Sequence, residues 1–435
     1  MKTSRREFLI SATAFAALPV WAKSAAGENF GKMSNPWENP DGTASETTWA
    51  RRVYLDLAGR LPTSDEARAF VSSTNPSKRA ALVDQLLASD DFADYWSMRL
   101  CDLLRVKSEF PINLWPNAVY VYHRYLHDAV RRDETWDRLA TALITATGSD
   151  FRDAASNYLR ASADRSPEGL ARTAVRTFLD QDLEDLAAAD RTRVLSAFAN
   201  VRFKSTREWK EELVYTDGPD GRGDFISFLL GPQRDRFAAA FAGYVNYWFY
   251  GERGVDAELG RTFADGGFSL RELCRKIVLS NRYARGSVTG GFPLRRLDAE
   301  VLEDALVSIL GVERDYQSIA PEPFTFLPKA RKSVLIEDGS ISSAFLTLFG
   351  RPPRDSGAVD ERSNRVTAKQ RLFLFNSGLL ERKLAQKKGS AEELYWQFFG
   401  RAPTKEERRI IRSRKVPKRE LAWCLMNARE FLYRS

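Results

Sequence analysis

Gly59-Arg60-Leu61-Pro62-Thr63-Ser64-Asp65-Glu66 returns near the other end of the chain as Gly400-Arg401-Ala402-Pro403-Thr404-Lys405-Glu406-Glu407, and Gly350-Arg351-Pro352-Pro353 is a partial third copy. In each full copy an aromatic-rich helix ends, glycine takes the left-handed position after it, and proline blocks continuation. Thr63 and Thr404 then cap the next helix, and Glu66 and Glu407, three residues on, complete capping boxes. A similar second helix follows each copy, Lys78-Arg79…Leu82…Leu86-Leu87…Phe92 in one and Lys418-Arg419…Leu421…Leu425…Phe431 in the other. The pattern predicts helix–corner–helix units at both ends of the chain.

Between these units the apolar spacing is helical almost everywhere. Leu82, Val83, Leu86 and Leu87 share one side of a helix, and Leu270, Leu273, Ile277 and Val278 repeat that stripe. Helices are expected over 117–147, 166–199, 234–250, 297–310, 367–385 and 404–414. Two short strands, Val201-Arg202-Phe203-Lys204 and Glu212-Leu213-Val214-Tyr215, interrupt them, and the turn-rich run from Asp217 to Asp224 marks the main boundary. The fold class expected is mainly α: two helical domains, 47–230 and 231–435, with a minor β-hairpin near the boundary. The three aspartates of the connector miss the alternate spacing and terminal glutamate of a calcium loop, so it reads as a solvated linker.

The 435 residues are 43% apolar and 29% charged, which is globular composition and excludes disorder. His123 and His127 are the only histidines, and Cys101, Cys274 and Cys424 the only cysteines. The pair His123/His127 has the four-residue spacing of a helical zinc motif, but Arg124 stands where the motif needs its glutamate. No Cys-x-x-Cys-His, nucleophile elbow, phosphate loop or dinucleotide fingerprint occurs, so no metal and no cofactor is expected. The three cysteines fall in apolar helical patterns and read as buried free thiols.

Arg5-Arg6, followed by the apolar run Phe8–Ala22, looks like a twin-arginine export signal with cleavage after Ala22. At 15 residues the run is too short to span a bilayer. The expected organisation is a signal over 1–22, a flexible leader over 23–46, and a mature chain in the periplasm or outside the cell with no transmembrane segment.

Two polar clusters lie in the second half. Arg295-Arg296-Leu297-Asp298-Ala299-Glu300 is expected to open a helix, and Glu361-Arg362-Ser363-Asn364 precedes another that carries Gln370 and Asn376. Such sets form either a buried ion-pair network that locks helix corners or a pocket for oxyanions. Asp298, Glu300 and Glu361 are the candidate acid/base carboxylates, while Arg295, Arg296, Arg351, Arg362, Asn364, Gln370 and Asn376 are the candidate binding residues. From residue 361 to the end, 19 Lys or Arg face 8 Glu and no Asp, a local +11 in a chain of net +8. That basic module would attract anionic polymers such as sulfated or uronic polysaccharide. Its aromatics are spaced as core residues, so nucleic acid is not expected as a partner.

Arg51-Arg52-Val53-Tyr54-Leu55-Asp56-Leu57-Ala58-Gly59-Arg60-Leu61-Pro62-Thr63, with Leu82–Leu104 including Trp96 and Asp102-Leu103-Leu104-Arg105, resembles the opening of planctomycete-type cytochrome-associated proteins, domain-of-unknown-function family 1549. Arg295–Glu300, Phe349-Gly350-Arg351-Pro352, Glu361–Asn364 and Gln370…Leu374-Phe375-Asn376-Ser377 resemble the companion family 1553. Many relatives carry an attached cytochrome c domain, and often a Cys-x-x-Cys-His inside the first domain. Here the corresponding stretch reads Asp180-Gln181-Asp182-Leu183-Glu184-Asp185, and Ser356-Gly357-Ala358-Val359-Asp360 replaces the cysteines that often precede Glu-Arg-Ser-Asn. The Asn-Arg…Trp…His stretch has become Asn246-Tyr247-Trp248-Phe249-Tyr250. The resemblance thus implies the family's helical scaffold without its haem features, and a place beside exported sulfatase-like proteins. The function expected is an exported binding or scaffold protein, for a partner protein or an anionic polysaccharide. The alternative is a polysaccharide hydrolase or lyase working through the three carboxylates.

Overall fold

The structure is a computed structural model and describes residues 36–318 and 326–434. The expected signal, with Arg5, Arg6 and Ala22, lies outside the described residues. The fold is mainly α with small antiparallel strand pairs.

Four helices make the first unit: α1 (Glu46–Leu57), α2 (Ser64–Ser72), α3 (Lys78–Leu87) and α4 (Asp90–Leu103). The corner between α1 and α2 forms as its sequence dictates, with Gly59 at φ +60° and both halves of the Thr63/Glu66 capping box made. Part of the expected leader is pinned to the body rather than loose. The buried Glu38 carboxylate accepts from the backbone N–H and hydroxyl of Thr289 (3.0 and 2.8 Å), and Ser45 caps α1.

The expected helix over 117–147 is two, α5 (Pro116–Arg131) and α6 (Trp136–Thr145), because Asp133 turns left-handed at φ +53°. After β1 (Gly148–Ser149) and the single turn α7 (Asn157–Arg160), the stretch 166–199 also divides into α8 (Pro167–Leu179) and α9 (Ala188–Phe198). Asp180, at φ +49°, ends α8 and redirects the chain. β2 (Val201–Ser205) and β3 (Glu212–Thr216) form the expected hairpin, and β1 adds a third strand against β3.

Next come α10 (Arg222–Leu230), α11 (Arg234–Tyr250), α12 (Ala257–Asp265) and α13 (Leu270–Val278). The small residues of α11 let α12 approach its backbone: a Cβ added at Gly260 would lie 2.6 Å from the Ala239 Cα. The aromatic residues of α11 fill the interior, with Phe241 stacked on Trp136 at 4.2 Å and Trp248 edge-on to Trp96 at 5.7 Å.

Arg295-Arg296 does not open a helix. It forms β4 (Arg295–Arg296), paired with the last strand of the chain, and Asp298 instead stands at the N-cap of α14 (Ala299–Leu310). Two-residue strands carry no alternation, so the pairing is invisible in the sequence. The partial copy Gly350-Arg351-Pro352-Pro353 follows α15 (Ala344–Leu348), but no helix follows it directly. The expected 367–385 helix is broken at Ser377, which ends α16 (Ala368–Asn376) and caps α17 (Gly378–Gln386).

The last unit repeats the first: α18 (Ala391–Phe399), Gly400 at φ +69°, α19 (Lys405–Ser413), α20 (Lys418–Met426) and α21 (Arg429–Leu432), then β5 (Tyr433–Arg434). The Thr404/Glu407 capping box is made. In the first corner Arg60 holds Glu66 through two N–H groups (2.8 Å each) and Asp91 through Nε (2.7 Å). In the second Arg401 holds Glu407 (2.8 and 2.9 Å) and Glu430 (2.7 Å) in the same way. The partners match by position, since Asp91 precedes Phe92 and Glu430 precedes Phe431. The two corners also abut, with Arg68 of α2 over the Trp396 ring of α18 at 5.1 Å.

The two glycines differ in surroundings, which makes them separable by mutation. A Cβ at Gly59 would lie 2.3 Å from the Tyr95 ring, whereas at Gly400 the nearest atom is Pro62 Cγ at 3.4 Å. Gly400→Ala is therefore expected to cost about 1–2 kcal/mol, the left-handed backbone penalty alone. Gly59→Ala should cost at least about 1 kcal/mol more, from overpacking against Tyr95. Urea denaturation of the two variants checks the order; equal losses would contradict it.

Candidate functional site

The polar clusters singled out in the sequence are brought together, but inside the fold. Glu300, on the first turn of α14, is fully buried and faces Arg362, whose Nη1 donates to Oε2 (2.5 Å) and Nη2 to Oε1 (3.1 Å). Arg351 lies on the other side, its Nε 3.3 Å from Glu300 Oε1, and its remaining N–H groups cap the carbonyls of Asp338 (3.1 Å) and Ile341. Arg362 reaches on to Asp102 of α4 (2.6 Å), whose other oxygen accepts from Arg354 (2.8 Å). Burial pushes the Asp102 carboxyl up, but the pull of Arg362 and Arg354 outweighs it and holds the group below the usual carboxylate range. Burial without sufficient compensation brings Arg351 down to about 10.

Asp298 sits in a neighbouring cluster. It accepts from Arg99 and from the Tyr95 hydroxyl (3.1 Å). Burial would raise its pKa, yet Arg99, Arg362 and Arg295 together drive it well below the usual range. Arg295 donates to the Tyr247 carbonyl (2.5 Å), and burial lowers it to about 10. Arg296 caps the carbonyls of Leu297, Phe349 and Ser363 (2.8, 2.6 and 2.9 Å). With its amide turned to satisfy both atoms, Asn364 donates to the Arg296 carbonyl (3.1 Å) and accepts from Arg295 Nη2 (2.8 Å). A cavity of about 20 Å³ touches this cluster, room for one water.

Asp298 is thus held ionised, and both it and Glu300 are enclosed by guanidinium groups, with no space for a substrate bond at either. Glu361 lies nearer the surface and accepts from the Ser356 backbone N–H (2.5 Å). Gln370 completes a capping box with Thr367 and donates to the Leu348 carbonyl (2.9 Å), while Asn376 is exposed at the end of α16. Three further members of the network were not candidates in the sequence: Asp102, Arg354 and Arg99. Asp56 and Arg434 form another buried pair that ties α1 to β5.

A cavity of about 640 Å³ lies elsewhere. Its walls include Arg105 after α4, Thr177 and Asp180 at the end of α8, Gln181, and the segment through Ser356 and Gly357. The two stretches that depart from the cysteine motifs, 180–185 and 356–360, therefore meet across one cleft. No cysteine, histidine or methionine lines it, so the thioether and axial bonds of a haem have no donors there.

His123 is buried on α5, and desolvation takes it down to about 3; His127 faces Asp94 (3.1 Å). Cys101 and Cys274 are buried free thiols, and Cys424 is buried as well. Among the described residues, no group of His, Cys, Asp or Glu is arranged to hold a metal ion, and no helix is long and apolar enough to cross a membrane.

Asp150, buried beside β3, is lifted by burial to about 6. Its Oδ1 accepts from the Glu212 N–H (3.1 Å), but Oδ2 has no partner. The unfolded chain ionises near 4, so between pH 4 and 6 ionisation increasingly penalises the fold, and above pH 6 the penalty is constant. Asp150→Asn is expected to raise the melting temperature at pH 7.5 and to give no gain at pH 4. A gain of equal size at both pH values would contradict this.

Residues 32–197 match the family described as PSCyt2, protein of unknown function (DUF1549), and residues 257–414 match the family described as PSD1, protein of unknown function (DUF1553). No curated protein and no solved structure matches.

Proposed function

Because this chain carries a PSCyt2 (DUF1549) domain followed by a PSD1 (DUF1553) domain, both of unknown function, we propose that it is an exported binding or scaffold protein that works without a cofactor. It would accompany an exported partner protein or hold an anionic polysaccharide. The observation that carries this reading is the fate of the acidic candidates: Glu300 is buried and Asp298 nearly so, and both are paired with arginines that fix helix corners. Such paired groups stabilise geometry and are not placed to exchange a proton with a substrate.

The basic C-terminal module supports an anionic partner. Of its 19 Lys and Arg, Arg362, Arg401 and Arg434 are buried in ion pairs, whereas Lys369, Arg371, Arg382, Arg412, Lys415 and Lys418 are exposed. Exposed cations of one sign raise the local concentration of a polyanion and release it as salt rises. The twin-arginine pattern at Arg5-Arg6 supports export to the periplasm or beyond.

The test is a native pull-down of the tagged, exported protein, with mass spectrometry at moderate and high salt, beside retention on immobilised sulfated and uronic glycans. A stoichiometric protein partner, or glycan retention that falls with salt, supports the reading. Turnover of a polysaccharide with no retained partner would overturn it.

A further inference from the structure

We propose that the 640 Å³ cleft between the end of α8 and residues 355–359 binds a small hydroxyl-rich molecule that carries one oxyanion, with the oxyanion seated on Arg105. The chemistry is that of a uronic acid or a sulfated sugar. The proposal rests on the anionic-ligand reading above and gives it a place distinct from the basic C-terminal face.

Arg105 is the charge at the floor of the cleft. Its backbone is left-handed, φ +58°, an uncommon state for a bulky residue, and its side chain is only 5% exposed. No carboxylate pairs with it among the described residues, although buried charges normally have a counter-ion. Arg51 and Arg296 also lack one, but each caps two or three carbonyls at 2.6–3.0 Å. Arg105 has one bond of that quality, from Nε to the Ala161 carbonyl (2.9 Å). Its Nη1 contacts, with Leu103 O and Thr177 Oγ1, are both 3.4 Å, the guanidinium lies over the Tyr158 ring at 5.5 Å, and Nη2 finds no acceptor of good geometry. A guanidinium held out of water without an anion, at the wall of a large cavity, is a site that an oxyanion would complete.

Gly357, at φ +75°, passes so close that an added Cβ would meet the Leu103 carbonyl at 2.4 Å and Arg105 Nη1 at 2.9 Å. Any side chain there would press on the guanidinium. The mouth selects the rest of the ligand. Arg172 and Arg176 are already paired with Glu184 (2.5 Å) and Asp182 (2.7 Å), so they add little net charge. Asp164, Asp180 and Asp185 also stand at the mouth, where water screens them. They oppose a densely charged polyanion but accept hydrogen bonds from hydroxyl groups. Gln181, whose Oε1 is buried without a partner, adds a further acceptor on the wall. One buried positive charge under a rim of acceptors fits a ligand with one anionic group and a neutral hydroxylated body. The volume suits one or two sugar rings.

Thermal unfolding with sodium glucuronate or glucose 6-sulfate, against glucose and against sodium chloride at equal ionic strength, tests the assignment. The expected result is a saturable rise in melting temperature with the anionic sugars only. Arg105→Gln should weaken it at least about tenfold, the scale of one charge-assisted hydrogen bond at a buried site. Ala358→Trp, a change at an exposed wall position, should abolish it by filling the cleft without removing any buried group; it decides the matter if Arg105→Gln does not fold. No anion-specific rise, or an equal rise in a folded cleft variant, overturns the proposal. Retention on uronic glycan that survives in both variants would leave the binding reading standing and remove only its placement in the cleft.

Discussion

Replacing Arg362 with alanine is expected to destabilise the fold by about 3–5 kcal/mol, the scale of breaking a buried ion pair by removing one partner. The side chain makes four hydrogen bonds, two to Glu300 and two to Asp102, and both carboxylates are left at near-zero or low exposure when it goes. Arg354 remains on the other Asp102 oxygen and Arg351 beside Glu300 Oε1, so the network is crippled rather than dissolved. Chemical denaturation should show the loss at pH 7. Glu361→Gln, next in the chain, should cost less than about 1 kcal/mol, because that carboxylate is partly solvated and glutamine still offers an acceptor to the Ser356 N–H.

The pH dependence has a definite sign. Asp102 and Asp298 are held below their unfolded values, so their contribution is fully present above about pH 4 and is lost as pH falls through the folded values. Without Arg362, Asp102 loses its strongest attraction. The gap between wild type and Arg362→Ala should therefore narrow below pH 4. A gap that stays constant down to pH 3 would mean that Arg362 acts through packing alone.

The second large effect separates the two corners. Arg401→Ala is expected to cost about 3–5 kcal/mol, and Arg60→Ala about 1 kcal/mol, although the two side chains hold partners at matching positions, Arg401 with one hydrogen bond more. The difference is solvent: the Arg401 side chain is 6% exposed and Arg60 29%. A half-wet pair exchanges protein partners for water when one side is cut, and a dry one cannot. Equal losses in urea would show that bond geometry, not burial, sets the strength of these corners.

How far the sequence could be read follows from the range of each interaction. The capping boxes at Thr63/Glu66 and Thr404/Glu407 are legible because they close within four residues. Arg60 and Arg401 are visible in the repeat, yet their second partners, Asp91 and Glu430, lie beyond the following helix. The central pairing, Arg362 with Asp102, spans 260 residues and has no periodic trace. Arg295 and Arg296 were legible as a polar cluster but not as a strand, since their pairing partners are Tyr433 and Arg434 at the far end. Arg105 stood in a family-like string, Asp102-Leu103-Leu104-Arg105, but nothing there marked it as buried: an arginine buried without a counter-ion looks, in sequence, like one on the surface. The cleft became visible only when residues 180–181 and 355–359, far apart in the chain, were found on facing walls.

A double-mutant cycle on Arg362 and Glu300, with unfolding free energy and glycan retention measured on the same samples, tests most directly whether these charged clusters are architecture. The account predicts a coupling of about 1.5 kcal/mol or more between the two residues, with retention by the folded fraction unchanged in every variant. Negligible coupling, with stability intact and retention lost, would contradict it and return the cluster to the ligand.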